Sequence, residues 1–137
     1  MYNPVIMIVD DDAMVRDIIH EYLQTYGYRH ILLMKDGADA VRYLQSPRHR
    51  VDLIISDWEM PELDGLGLLQ AIRRNPARKE TKFLMLTSQR SQERAKITRA
   101  AHWRVDAYIV KPFRGHVLKE KVEQLLEIAP GSQSNAA

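Results

Sequence analysis

A chain of 137 residues, 45% hydrophobic and 28% charged, has room for one domain around one core, and its composition excludes disorder and a membrane class. No apolar run approaches the ~20 residues of a spanning helix, and the lack of cysteine excludes disulfides and thiolate metal sites. The net charge of +2 hides an imbalance: residues 1–88 carry 11 Lys/Arg against 13 Asp/Glu, and residues 89–137 carry 9 against 5. The basic half reads first as a solvated face and second as a surface for nucleic acid or an acidic partner.

Met1-Tyr2-Asn3-Pro4 offers no charged stretch ahead of the first apolar run, so no secretory leader is expected and the cytoplasm is the default compartment. Val5–Val9 is continuously apolar, the mark of a strand buried on both faces. It ends in Asp10-Asp11-Asp12, with Asp12 placed to cap a helix striped by Val15, Ile18, Ile19, Tyr22, Leu23 and Tyr26 and stopped at Gly27. Tyr28–Met34 reads as a weaker second strand. Ala38, Val41 and Leu44 mark a short helix after the Asp36-Gly37 turn, ended by Ser46-Pro47.

Val51–Ser56 is the third strand and delivers Asp57 at its end, followed by a turn from Met60-Pro61 through Asp64-Gly65. Leu68, Leu69 and Ile72 stripe the next helix, which stops by Asn75-Pro76. The fourth strand, Lys82–Leu86, presents Thr87-Ser88 at its tip. A helix from a Ser91 cap to about Trp103 carries a thin inward stripe of Ile97, Ala100 and Ala101. Ala107–Val110 is the fifth strand, ending in Lys111-Pro112-Phe113. Leu118, Val122, Leu125 and Leu126 stripe a last helix to about Ile128, and residues 129–137 read as a short polar tail with no output domain.

Five strands alternating with five helices predict an α/β fold, a doubly wound parallel sheet with helices on both faces. In such a sheet all strand carboxyl ends share one edge, where ligands bind. Asp10 and Asp11, Asp57, Thr87 and Lys111 would then converge on one cleft. Clustered carboxylates repel unless a cation joins them, and Mg²⁺ suits carboxylates, waters and a phosphoryl oxygen. A hydroxyl and an ammonium beside them suit phosphoryl transfer, which rests on positioning and charge neutralisation. A carboxylate can itself be the nucleophile, giving an aspartyl-phosphate.

The set Ile8-Val9-Asp10-Asp11-Asp12, Ser56-Asp57-Trp58-Glu59-Met60-Pro61 with Leu63-Asp64-Gly65, Leu86-Thr87-Ser88 and Tyr108-Ile109-Val110-Lys111-Pro112-Phe113 resembles the receiver domain of two-component response regulators, stand-alone CheY-like proteins above all. It covers roughly residues 4–128. The resemblance implies a flavodoxin-like sheet of strand order 2-1-3-4-5, and Asp57 as the residue phosphorylated by a histidine kinase or phosphotransfer protein. It implies Mg²⁺ held by Asp10, Asp11, Asp57 and the backbone carbonyl of Glu59, with Thr87 and Lys111 on the phosphoryl group. It further implies a cis Lys111-Pro112 bond, a Thr87–Tyr108 switch, and an output surface over residues 91–128 for a downstream protein, as a monomer or a phosphorylation-dependent dimer. Glu59 and Gln89 occupy positions that tune phosphate lifetime in the family. Ala101-His102-Trp103-Arg104 replaces the usual Ala-Gly before the fifth strand, in a segment slightly longer than usual.

Plainer readings stand beside these. Asp10–Asp12 could be a polar turn, and Asp12 is assigned to capping rather than metal. Trp58 reads equally as packing or as a cover for the cleft, and the five histidines show no ligand spacing. An enzyme of the aspartyl-nucleophile phosphatase type, using Asp10, is the competing function, but it gives no reason for Asp57 and lacks an acidic pair after Lys111. Direct DNA binding has only the basic half behind it, with no helix-turn-helix.

Overall fold

The computed structural model describes residues 3–88 and 93–128, the side chains of Glu93 and Arg94 excepted. The elements run β1 (Val5–Val9), α1 (Ala13–Thr25), β2 (His30–Met34), α2 (Gly37–Leu44), β3 (Leu53–Asp57), α3 (Gly65–Arg74), a 3₁₀ turn at Pro76–Arg78, β4 (Lys82–Ser88), α4 (Glu93–His102), β5 (Ala107–Lys111) and α5 (Gly115–Leu126). The five strands are parallel, in the order β2-β1-β3-β4-β5.

Alternation along the strands divides the core. Met7, Val9, Ile54, Phe83 and Met85 pack under Ala40 and Leu44 of α2, Leu68, Leu69 and Ile72 of α3, and Ala100 of α4. Ile6, Ile8, Leu53, Ile55, Leu84, Leu86 and Ile109 pack under Ile19 and Leu23 of α1 and Leu118 and Val122 of α5. The central strands therefore read as unbroken apolar runs because both their faces are covered. β2 and β5 lie at the sheet edges and are only partly buried.

Some details differ from the sequence reading. β2 begins at His30 rather than Tyr28, whose ring is instead buried in the core beyond the C-terminus of α1. Asp57 is the last residue of β3 rather than the residue after it. α4 buries Ala100 but exposes Ala101, since one residue turns the helix by ~100° and a single-residue contact cannot cover both. The Ser91 cap lies outside the described residues.

The Asp12 cap is found as read, and Asp36 and Asp64, read only as turn residues, cap their helices too. Asp12 accepts from the amides of Met14 and Val15, Asp36 from Asp39, and Asp64 from Gly67. Gly65 has a steric reason: a Cβ there would lie 2.5 Å from the Asp57 carbonyl and 2.6 Å from Met85 Sδ. That close approach lets the Gly65 amide reach the Trp58 carbonyl at 2.7 Å and folds the β3–α3 turn back onto the end of β3.

A buried cation holds the far end of the sheet. The Arg78 guanidinium, 4% exposed, donates to the carbonyls of Leu44, Ser46 and His49, with no carboxylate among its described partners. Burial lowers its pKa. Arg78→Ala would strand these carbonyls and is expected to cost ~3 kcal/mol, read by urea unfolding. Arg78→Lys should recover only part, because an ammonium lacks the planar fork that reaches three acceptors.

Candidate functional site

The β1 and β3 ends are fixed by backbone before their side chains are considered. The Asp10 amide donates to the Met34 carbonyl at 3.2 Å, and the Trp58 amide to the Leu86 carbonyl at 2.9 Å, so the ladder continues past both acids. Arg16 on α1 donates to the Asp10 carbonyl at 2.7 Å. The carboxylates of Asp10, Asp11 and Asp57 are thereby brought together, with one oxygen of each lying within 4.8 Å of the others.

Lys111, at the end of β5, donates to Asp57 Oδ1 at 2.8 Å and stands 3.8 Å from Asp10 Oδ2. One ammonium thus answers three carboxylates. The remaining deficit shows in the acids. Burial, opposed by the Asp12 amide and reinforced by the Asp57 charge, pushes the Asp10 carboxyl up to about 6. Burial also raises Asp57, against the hydrogen bond and charge of Lys111. Asp10 Oδ1 accepts from the Asp12 amide at 2.9 Å, while Asp10 Oδ2 is buried with no hydrogen-bond donor among the described residues. An orphaned carboxylate oxygen within an oxygen-only acid cluster fits a hard divalent cation.

These groups line a cleft of about 290 Å³ together with Asp12, Trp58, Glu59 and Ser88. Trp58 serves both of its anticipated purposes: it is buried in the α2/α3 side of the core and forms part of the cleft wall. Asp12 lines the cleft while capping α1. The Glu59 carboxylate does not join the acid cluster; it takes the ammonium of Lys96 on α4 at 2.9 Å. Lys96 also lies 5.6 Å from the centre of the Trp58 ring.

Thr87 is 2% exposed, paired with Val110, and is not part of the cleft wall. Ser88, opposite Lys111 in the β4–β5 register, lines the cleft in its place, with its buried Oγ unpartnered among the described residues. Sequence reading assigns a role to Thr87 and none to Ser88; the second hydroxyl in Thr87-Ser88 is the available signal. Tyr108 is 43% exposed, its ring on the outer surface of the edge strand. The Lys111–Pro112 bond is cis, as the resemblance implied.

A doubly wound parallel sheet whose carboxyl edge gathers three acids and a lysine around a small open cleft defines an α/β protein fitted for a cation and an anionic group at its strand ends. The response regulator receiver domain family matches residues 6–123. The chain is 37% identical to the chemotaxis protein CheY of Pseudomonas aeruginosa over 126 residues, covering 92% of this chain and 98% of that protein. It is 35% identical over 125 residues to CheY-3 of Vibrio cholerae, covering 91% and 93%. Among solved structures it is similar to CheY4 of Vibrio cholerae, with a TM-score of 0.81, 30% identity, and coverage of 91% of this chain and 100% of that one. It is also similar to the receiver domain of a sensor histidine kinase from Pseudomonas aeruginosa, described with a magnesium ion coordinated in the active site cleft, with a TM-score of 0.79, 25% identity, and coverage of 92% and 99%.

The chain belongs to the response regulator receiver domain family, and within it to the CheY-like receivers of two-component signalling. Members of this family act as regulators rather than as conventional enzymes. No helix among the described residues is long and apolar enough to cross a membrane.

Proposed function

We propose that the protein is a stand-alone response regulator that accepts a phosphoryl group on Asp57 from a histidine kinase or phosphotransfer protein in the cytoplasm. The observation that carries this reading is the 2.8 Å contact between Lys111 Nζ and Asp57 Oδ1, set beside the Asp10–Asp11 pair. An Asp57 oxygen attacks phosphorus, the donor's N–P bond breaks, and the imidazole departs with the electron pair. Lys111 neutralises charge on the transferred group, and Thr87, buried just short of the cleft in the resting arrangement, moves toward that group and donates to it. Asp10, Asp11, Asp57 and the backbone carbonyl of Glu59 would hold Mg²⁺, which when bound would offset the charge of the acids and of a phosphoryl oxygen.

Phosphorylation then biases a two-state element made of Thr87 and Tyr108. Exposure of the Tyr108 ring supports its assignment to the resting arrangement. The output surface is the face of residues 91–128, and the chemotaxis names of the relatives support a pathway of that kind.

Intact-mass measurement after incubation with acetyl phosphate tests the reading. A gain of one phosphoryl group is expected with Mg²⁺ and none with a chelator; no gain in either condition would remove it. Beryllofluoride, added with Mg²⁺, should move the Tyr108 resonances, and an unmoved ring would leave Tyr108 outside the switch.

A further inference from the structure

Where α4 ends, the backbone pays for an arrangement that a glycine would adopt freely. Arg104 sits at φ 60°, in the left-handed region, which a residue carrying a Cβ adopts at a steric cost. The turn is held from α3. The Arg73 side chain, 6% exposed, donates to the Arg104 carbonyl through Nη2 at 2.8 Å and Nε at 3.2 Å, to the Thr81 carbonyl at 2.9 Å, and to Asp106 Oδ2 at 2.8 Å. The Trp103 amide reaches back to the Arg99 and Ala100 carbonyls.

The effect is to fix Trp103 against α3. Its ring lies 4.8 Å under the Arg74 guanidinium and edge-on to His102, with centroids 6.1 Å apart. Beside it a groove of about 290 Å³ opens between α3 and α4, lined by Leu66, Gln70, Thr98, Arg99, His102 and Trp103. Its floor is apolar, Arg99 lines it, Arg74 stands over the Trp103 ring beside it, and no carboxylate lines it among the described residues. The nearby Asp106 is committed to Arg73 and to the Phe83 amide.

We propose that this α3–α4 groove docks an acidic protein segment, which places one apolar side chain against Trp103 while its carboxylates meet Arg99 and Arg74. The volume falls just below the ~300–1,000 Å³ of ligand pockets, the scale of one or two inserted side chains. A ring fixed beside cations has the composition of an interface anchor, where Trp and Arg carry most binding energy. A nucleic acid is the poorer occupant, because Arg74 already covers one face of Trp103 and leaves less ring for base stacking. The site is separate from the acid cleft and needs no phosphoryl group, so it stands or falls apart from the reading of Asp57.

The test is a ¹⁵N-¹H titration of the full unphosphorylated chain, without Mg²⁺, using the synthetic peptide Glu-Glu-Ser-Leu-Ser-Glu-Glu. Saturable shifts are expected at the Trp103 indole and at the Leu66 and Arg99 amides. They should weaken about tenfold in Arg99→Glu, an exposed change whose remaining spectrum reports an intact fold, and to a similar degree when the peptide's Leu is replaced by Ser. Asp57→Asn should bind as the parent does. Four outcomes overturn the proposal: no saturable shift in the groove, equal binding of the Lys-for-Glu peptide, tighter binding of a thymidine dodecamer, or the same shifts on raising protein concentration without peptide.

Discussion

Asp57→Asn is expected to take up no phosphoryl group from acetyl phosphate, while Asp10→Asn still takes it up once Mg²⁺ is raised. The first substitution keeps the shape of the side chain and removes the nucleophilic oxygen, so the loss is complete rather than graded. The second leaves the nucleophile and removes one acid from the cluster, which should raise the Mg²⁺ requirement about tenfold or more. Access supports this assignment: the Asp57 side chain is 14% exposed and that of Asp10 only 2%. Asp10 Oδ1 is also occupied by the Asp12 amide. Were the chain a phosphatase with Asp10 as nucleophile, the two variants would exchange behaviours. Parent-level labelling of Asp57→Asn would therefore remove Asp57 from its role and restore that competing enzyme. Acid-quenched mass spectra of the two variants over a Mg²⁺ series make the distinction.

The cleft was legible because a parallel sheet turns a one-dimensional pattern into a place. Each apolar run stops at a polar residue, and parallel pairing puts all those stops on one edge. Thus Asp10, Asp57 and Lys111, 47 and 54 positions apart along the chain, meet without any local signal joining them. What stayed hidden depended on register and depth. Thr87 and Ser88 are adjacent hydroxyls, and only the pairing of β4 with β5 decides that Ser88 lines the cleft. Arg78 follows Asn75-Pro76-Ala77 and reads as a surface cation; its burial depends on carbonyls 29 to 34 positions earlier. The α4 stripe offered three candidates at neighbouring angles, and a helix touching the core through so small a residue could not reveal that Ala100 is buried and Ala101 exposed. His102-Trp103-Arg104 was visible as a departure from the family pattern, but the clamp from Arg73 that gives it shape was not.

In chelator, Asp10→Asn is expected to be more stable than the parent at neutral pH. The folded-state carboxyl of Asp10 sits at about 6, while an unfolded aspartate titrates near 4. Between those values the folded chain binds the extra proton, so stability is fully present below pH ~4 and is lost as pH rises through ~6. The size of the loss is roughly 3 kcal/mol, or several degrees in thermal midpoint for a domain of this length. Asp57, also raised, adds in the same direction. The amide of the variant does not ionise, so its stability should fall less over the same window and converge with the parent near pH 4. Mg²⁺ should reverse the ranking at pH 7: a cation that binds only the folded parent stabilises it by mass action, and the variant, lacking one ligand, gains little. Thermal unfolding from pH 4 to 8, with chelator and then with Mg²⁺, reads both effects. A variant less stable than its parent in chelator at pH 7 would mean that Lys111 outweighs burial and acid repulsion at Asp10, and the strain assigned to the acid cluster would not exist.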